Sequence, residues 1–226
     1  MNDLSPDPLF AGFFSVPETA KLVHAKSAAI RGWLNGYPNS QAGPVIDRDF
    51  KDTRTLSFLD LMEVRFVAFF RSQGVPMRTL RDAAARARAD WCVSHPLALE
   101  SEHYVTDRKK VFATVAAESG DRVTWDMASG QHEMWDTIEQ TIQAGVVFDP
   151  KSFLATRWRP APQQFPNIVI DPKIAFGKPV IEGIRIPTSV LFRQWQSERK
   201  AATVARLFKV ETSDVETAVG YELRAA

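Results

Sequence analysis

The chain has 226 residues, 45% of them hydrophobic and 24% charged, with a formal net charge of +1. That length supports one large domain or two small ones, each with its own core. A single cysteine, Cys92, excludes an internal disulfide or a multi-cysteine metal centre. No apolar run reaches the ~18 residues of a membrane helix, and MNDLSPDP lacks the basic start of a secretory leader, so a cytoplasmic location is expected. The charge is unevenly spread. Residues 1–90 hold 12 Lys/Arg against 10 Asp/Glu (+2), residues 91–150 hold 4 against 10 (−6), and residues 151–226 hold 12 against 7 (+5). Both ends suit a polyanion, whereas the middle would be repelled by one.

In chain order, Ser15 or Val16 before Pro17, with Glu18 behind, predicts a helix start. His24-Ala25-Lys26 reads as a tight turn. Ser27 then caps a short helix that buries Ile30, Trp33 and Leu34, and Asn35-Gly36 ends it. Two short helices about three residues apart predict a helix-turn-helix. Residues 37–55 are rich in turn formers, with Val45-Ile46 and Thr55-Leu56 as extended pieces, which suits a two-stranded wing. Ser57 caps an apolar helix ending at Gly74, and Pro76 opens another that runs to about Trp91. On the second helix, Arg78, Arg81, Arg86 and Arg88 read as a solvated face. Tyr104–Thr106, Lys110–Val115 and Val123–Trp125 read as strands, Trp135–Ala144 as a helix and Val146–Phe148 as a further strand. Pro160, Pro162 and Pro166 mark a linker. Beyond it come the strand Ile168–Ile170, a Gly/Pro-punctuated segment to Pro187, and helices over about 188–197, 200–208 and 212–223. Their expected packing residues are Leu191, Trp195, Leu207, Val215 and Val219.

Two stretches resemble known families. Ser15-Val16-Pro17-Glu18-Thr19-Ala20-Lys21, Arg31-Gly32-Trp33-Leu34, the helix after Ser57 and Gly74-Val75-Pro76 together resemble the MerR-like winged helix-turn-helix. Asp171-Pro172, Gly177-Lys178-Pro179, Gly183, Arg185 and Pro187 look like the signature of the domain of unknown function 433, which is typical of VapB-type antitoxins. At Ile184 a threonine is more common in that family. The two resemblances imply an α+β, mostly helical protein: a winged helix-turn-helix over 1–93, a central acidic β-rich region over 94–159, and a C-terminal helical antitoxin-type domain over 160–226. They also imply a dimeric antitoxin that binds a PIN-like ribonuclease toxin and represses its own operon through operator double-stranded DNA. The alternative is a MerR-like transcription regulator whose central region senses a small ligand.

In such a unit the second helix enters the major groove and offers its N-terminal residues to base edges. Ser27, Ala28, Ala29, Arg31 and Gly32 are the expected outer face, with Arg31 able to make a bidentate contact with guanine. Lys21, Lys26 and the wing residues Arg48, Lys51 and Arg54 are placed for phosphates. The acidic middle is the expected toxin surface, carried by Asp121, Asp126 and Glu133, because an RNA-binding enzyme must present positive charge.

The chain is not expected to be an enzyme or to need a cofactor. His132-Glu133 lacks the second histidine of a zinc helix, and His24, His95, His103 and His132 show no metal-ligand spacing. Gly177–Gly183 lacks both nucleotide-loop patterns, and Cys92 reads as a packed thiol.

Overall fold

The computed structural model describes residues 11–37, 42–51, 53–129 and 132–225, apart from the side chains of 101–106, 132–134, 136 and 225. The chain forms two compact units. One contains the described part of Met1–Phe14 with Gly145–Val147 and Thr156–Ala226; the other contains Ser15–Ala144 and Phe148–Ala155.

The larger unit begins at Ser15, the second residue of β1 (Phe14–Ser15), and continues into α1 (Val16–Leu22). Ser15 is the cap. Its Oγ accepts the Glu18 N–H at 3.3 Å while the Glu18 carboxylate accepts the Ser15 N–H at 2.8 Å, which satisfies two of the helix's orphan donors. Residues 23–26 turn the chain, with His24 at φ 53, into α2 (Ser27–Asn35). The capping position of α2 belongs to Lys26, with no side-chain bond, and not to Ser27 as expected. Ile30, Trp33 and Leu34 are buried as their spacing predicts.

The expected wing does not form between Val45-Ile46 and Thr55-Leu56. Strand β2 (Thr55–Leu56) pairs with β1 instead. Val45 and Ile46 are buried at a bend, and both direct their N–H groups to the Trp33 carbonyl, at 2.9 and 3.4 Å. The backbone partner of this segment is the end of α2 rather than a second strand.

Ser57 caps α3 (Phe58–Ser72) through a second reciprocal box with Asp60, and Pro76 precedes α4 (Met77–Trp91). The solvated-arginine expectation holds for Arg78, which faces Asp82 on the next turn, and fails for Arg88. Arg88 turns inward to the Val45 carbonyl (2.7 Å) and Glu63 (3.4 Å). Cys92, expected to be packed, is exposed at the left-handed end of α4.

The middle corrects the sequence reading most. The three expected strands at 104–106, 110–115 and 123–125 are helical, within α5 (Ser101–Ser119) and α6 (Arg122–Ser129). Buried Arg108, Val111, Phe112, Val115 and Ala116 follow the 3.6-residue period, not alternation. The β-branched residues suggested a strand locally, but one continuous buried stripe decides the conformation. Helix α7 (His132–Gln143) falls where expected. Phe66 and Phe70 of α3, Phe112 of α5 and Trp135 of α7 form a ring cluster, with centroids 4.5 Å apart for Phe66–Phe70 and 5.7 Å for Phe112–Trp135. Beside them Arg108 donates to Glu139 at 2.8 Å, both side chains being almost wholly buried. The Arg65 guanidinium donates to the Ile142 carbonyl near the end of α7.

Among the described residues of the expected central β region, a sheet forms only late, where β3 (Val146–Phe148) pairs with β4 (Ala155–Trp158). In the smaller unit β5 (Ile168–Val169) and β6 (Val180–Ile181) pair antiparallel, with Ile168 opposite Ile181. Helices α8 (Thr188–Glu198), α9 (Ala201–Phe208) and α10 (Thr212–Ala225) close over them. Ile168, Ile181, Leu191, Val204, Val215, Ala218 and Tyr221 form the core. Trp195 is only partly buried, stacked on Phe192 and covered by the Arg199 guanidinium. Leu207, expected to pack, is exposed. The proline segment is packed rather than free: the Phe165 N–H bonds the Ala161 carbonyl, and the Phe165 ring meets Tyr221 edge-on. No helix among the described residues is long and apolar enough to cross a membrane.

Candidate nucleic-acid interface

Helix α2 presents a narrow outer face. Ala28 and Arg31 are exposed, and Ser27 and Ala29 are half-buried. Arg31, two residues before buried Trp33, projects away from the packed stripe. Gly32, expected on the outer face, is buried instead. A Cβ there would come 2.4 Å from the Tyr37 ring, so only glycine lets that ring lie against the helix. Tyr37, which composition alone did not single out, thus borders the face that carries Arg31. Lys21 in the last turn of α1 and Lys26 ahead of α2 are exposed.

The basic residues after α2 divide. Arg54 is exposed, whereas the Arg48 guanidinium donates to the Thr53 and Lys51 carbonyls at 2.9 and 2.8 Å and closes its own loop. Lys51 lies 2.9 Å from Asp47. A loop held by its own arginine leaves that guanidinium less able to reach a phosphate.

Beside this loop lies a polar cluster that the sequence reading missed. Asp49 from the loop, Asp60 and Glu63 from α3, Arg88 from α4 and His95 after α4 converge, although up to 46 residues separate bonded partners. His95 Nε2 is 2.9 Å from Asp49 Oδ1, and its Nδ1 is 3.6 Å from Glu63 Oε2. Glu63 also accepts the Leu97 N–H at 3.2 Å. Burial opposes charge on His95, but Asp49 and Glu63 outweigh it and push its pKa up to about 10. Burial likewise pushes Asp60 up to about 6, although the Ser57 N–H favours the carboxylate. Asp49 is also penalised by burial, yet His95 draws it below its ordinary value.

Of the acidic trio in the middle, Asp126 is exposed, and Glu133 lies in α7 with its side chain outside the described residues. Asp121 has local work: it accepts the Thr124 N–H at 3.2 Å at the start of α6 and the Thr79 hydroxyl at 2.7 Å.

The C-terminal signature is structural in its details. Asp171 is buried, accepts the Lys173 N–H at 2.9 Å and is clasped by Arg157 at 3.0 and 3.2 Å. Pro172 is buried as well. Gly177 has φ +81, and a Cβ there would lie 2.6 Å from the Phe14 ring, so both backbone and space require glycine. The Pro179 carbonyl accepts the Thr188 N–H at 2.9 Å, and Pro187 pairs with Val180 just before α8. Lys178 is half-buried, while Gly183 and Arg185 are exposed.

With this geometry in place, comparison with known proteins is specific for the C-terminal part. Residues 168–221 match the family described as a protein of unknown function, DUF433. The chain is also similar to a Mycobacterium tuberculosis (strain ATCC 25618 / H37Rv) protein named "Putative antitoxin VapB45". The two are 26% identical over 190 residues, covering 75% of this chain and 77% of that protein. The fold is shared with the X-ray crystal structure of Rv2018 from Mycobacterium tuberculosis. That likeness has a TM-score of 0.66 at 22% identity and covers 95% of this chain and 98% of that one.

Proposed function

We propose that this protein is the antitoxin of a toxin–antitoxin pair, which neutralises a PIN-like ribonuclease and represses its own operon by binding operator DNA as a dimer. The observation that carries the antitoxin reading is the likeness over most of both chains to a protein named as an antitoxin, together with the DUF433 match. The DNA reading has a separate support. Helices α1 and α2 are joined by a tight turn, Lys21 and Lys26 before α2 are exposed, and α2 turns Ala28 and Arg31 outward. The small Ala28 permits close approach to base edges, and Arg31 has the fork that matches guanine. Lys21, Lys26 and Arg54 supply the phosphate contacts, and a dimer would read two half-sites one helical turn apart. Arg48 and Lys51, tied within their loop, have a smaller part in this reading. The ribonuclease lies against the acidic 91–150 stretch through Asp126 and Glu133, with Asp121 contributing charge while it caps α6.

The test is fluorescence anisotropy on the gene's own upstream DNA with the wild type and Arg31→Ala. Specific binding that falls in the variant while binding to random DNA holds supports the reading. Equal losses on both sequences would take base recognition away from Arg31.

A further inference from the structure

Asp49, Asp60 and His95 come from a loop, the first turn of α3 and the segment after α4. One ligand-type atom from each lies within 4.8 Å of the other two. Their burial is unusual for such groups: Asp60 is 0% exposed, and the side chains of His95 and Asp49 are 1% and 12% exposed. Glu63 adds a third buried carboxylate, against which the cluster offers the Arg88 guanidinium. The five groups sum to −1 with His95 protonated and to −2 with a neutral imidazole. Buried charge of that size is costly unless something positive joins it.

Three details favour a cation as that something. Asp49 Oδ2 is buried and has no hydrogen-bond partner among the described residues, so a carboxylate oxygen remains available inside the cluster. His95 points Nε2 at Asp49, while its Nδ1, unbonded among the described residues, lies 3.6 Å from Glu63, near enough for that carboxylate to serve as the outer partner of a metal-binding histidine. Glu63 is in turn anchored by the Leu97 N–H and Arg88, so the orienting group is itself fixed.

We propose that Asp49, Asp60 and the Nε2 of His95 form a binding site for a divalent first-row transition ion, with Glu63 orienting His95 from behind. One imidazole with two carboxylates suits Zn²⁺ or Mn²⁺. Mg²⁺ and Ca²⁺ favour all-oxygen sets, and the exposed Cys92 supplies no thiolate to this donor set. The ion takes the place of the proton between His95 Nε2 and Asp49, so one proton leaves as it enters. It ties the loop whose Val45 and Ile46 bond the Trp33 carbonyl of α2 to the start of α3 and the end of α4. The rival filling of the same charge deficit is a doubly protonated His95 held between Asp49 and Glu63.

The two are separated by full-length protein stripped with chelator and titrated with ZnCl₂ or MnCl₂. We expect uptake of one equivalent per chain and a raised melting midpoint. Glu63→Gln should weaken affinity roughly 10- to 100-fold, and Asp49→Asn and His95→Gln should weaken it more. No uptake, or uptake unchanged in Asp49→Asn and His95→Gln, overturns the site. Should those variants fail to fold, imidazole ¹⁵N spectra of the wild type decide. Loss of the Nε2 proton of His95 on adding one equivalent of zinc supports the site, and two persistent N–H signals overturn it.

Discussion

Arg31 and Gly177 stand for two kinds of position, one proposed to read DNA and one required by the fold. Arg31 is exposed on α2, so its replacement removes a contact without opening the core. Arg31→Ala should cost about 1–3 kcal/mol on the operator and little on random DNA. Gly177 is the opposite case. Its φ of +81 disfavours a side chain, and a Cβ would press on the Phe14 ring. Gly177→Ala should therefore lose at least about 2 kcal/mol of stability in a urea titration, from backbone strain and overpacking together. Asp121 makes a pH prediction. Burial raises its pKa, but hydrogen bonding by Thr124 and Thr79 outweighs this and holds it below 3.8. A folded-state pKa below the unfolded one gives stability that is full above 3.8 and drains away as pH falls through the folded value. Melting curves of the wild type and Asp121→Asn should differ at pH 7 and converge as the pH drops below 3.8. Local chemistry of this kind was partly legible. The Ser57 cap is read from the sequence and Ser15 is one of two candidates for the first cap, whereas Gly32 could not be known as buried without the position of Tyr37.

Among the elements, helices with a broad apolar face and a cap were legible, and short β-branched runs were not. Helix α3, α7 and the three C-terminal helices lie close to their expected bounds, because a cap or breaker coincides with periodic burial. Segments 104–106, 110–115 and 123–125 are helical, and within 110–115 the ring partners of Phe112 come from distant helices. Phe112 chooses a helix partly because Phe70 and Trp135 wait on one side of it. Arg88 and His95 were opaque for the same reason: each meets carboxylates at least 25 residues away. The Arg108–Glu139 pair spans α5 and α7 in the dry centre of the larger unit, with side chains 1% and 3% exposed. Arg108→Met should cost about 3–5 kcal/mol by removing the buried guanidinium from the Glu139 carboxylate, and adding Glu139→Leu should recover most of it. A denaturant series on the two single variants and the double variant checks this. An undiminished loss in the double variant would mean that packing, not charge, is the larger contribution of Arg108.

The whole molecule joins a helical unit that carries α1 and α2 to a smaller unit closed by the DUF433-matching helices. The segregation of charge along the chain, −6 over residues 91–150 between positive ends, was legible from composition and is the basis for placing a cationic partner on the middle. Its surface form was not legible, since Asp121 proves to be a cap as well as a charge. If the acidic stretch steers the toxin, replacing Asp126 and Glu133 with lysine should slow association several-fold at low salt and much less at high salt. That reading depends on a partner, and the partner tests the central claim most directly. The full chain should be co-expressed with the product of the neighbouring open reading frame, purified through a tag on this chain, and assayed for ribonuclease activity before and after the complex is separated. The account predicts a stable complex with its ribonuclease silenced and activity regained on separation. Failure to co-purify, or a complex that remains fully active, would contradict it.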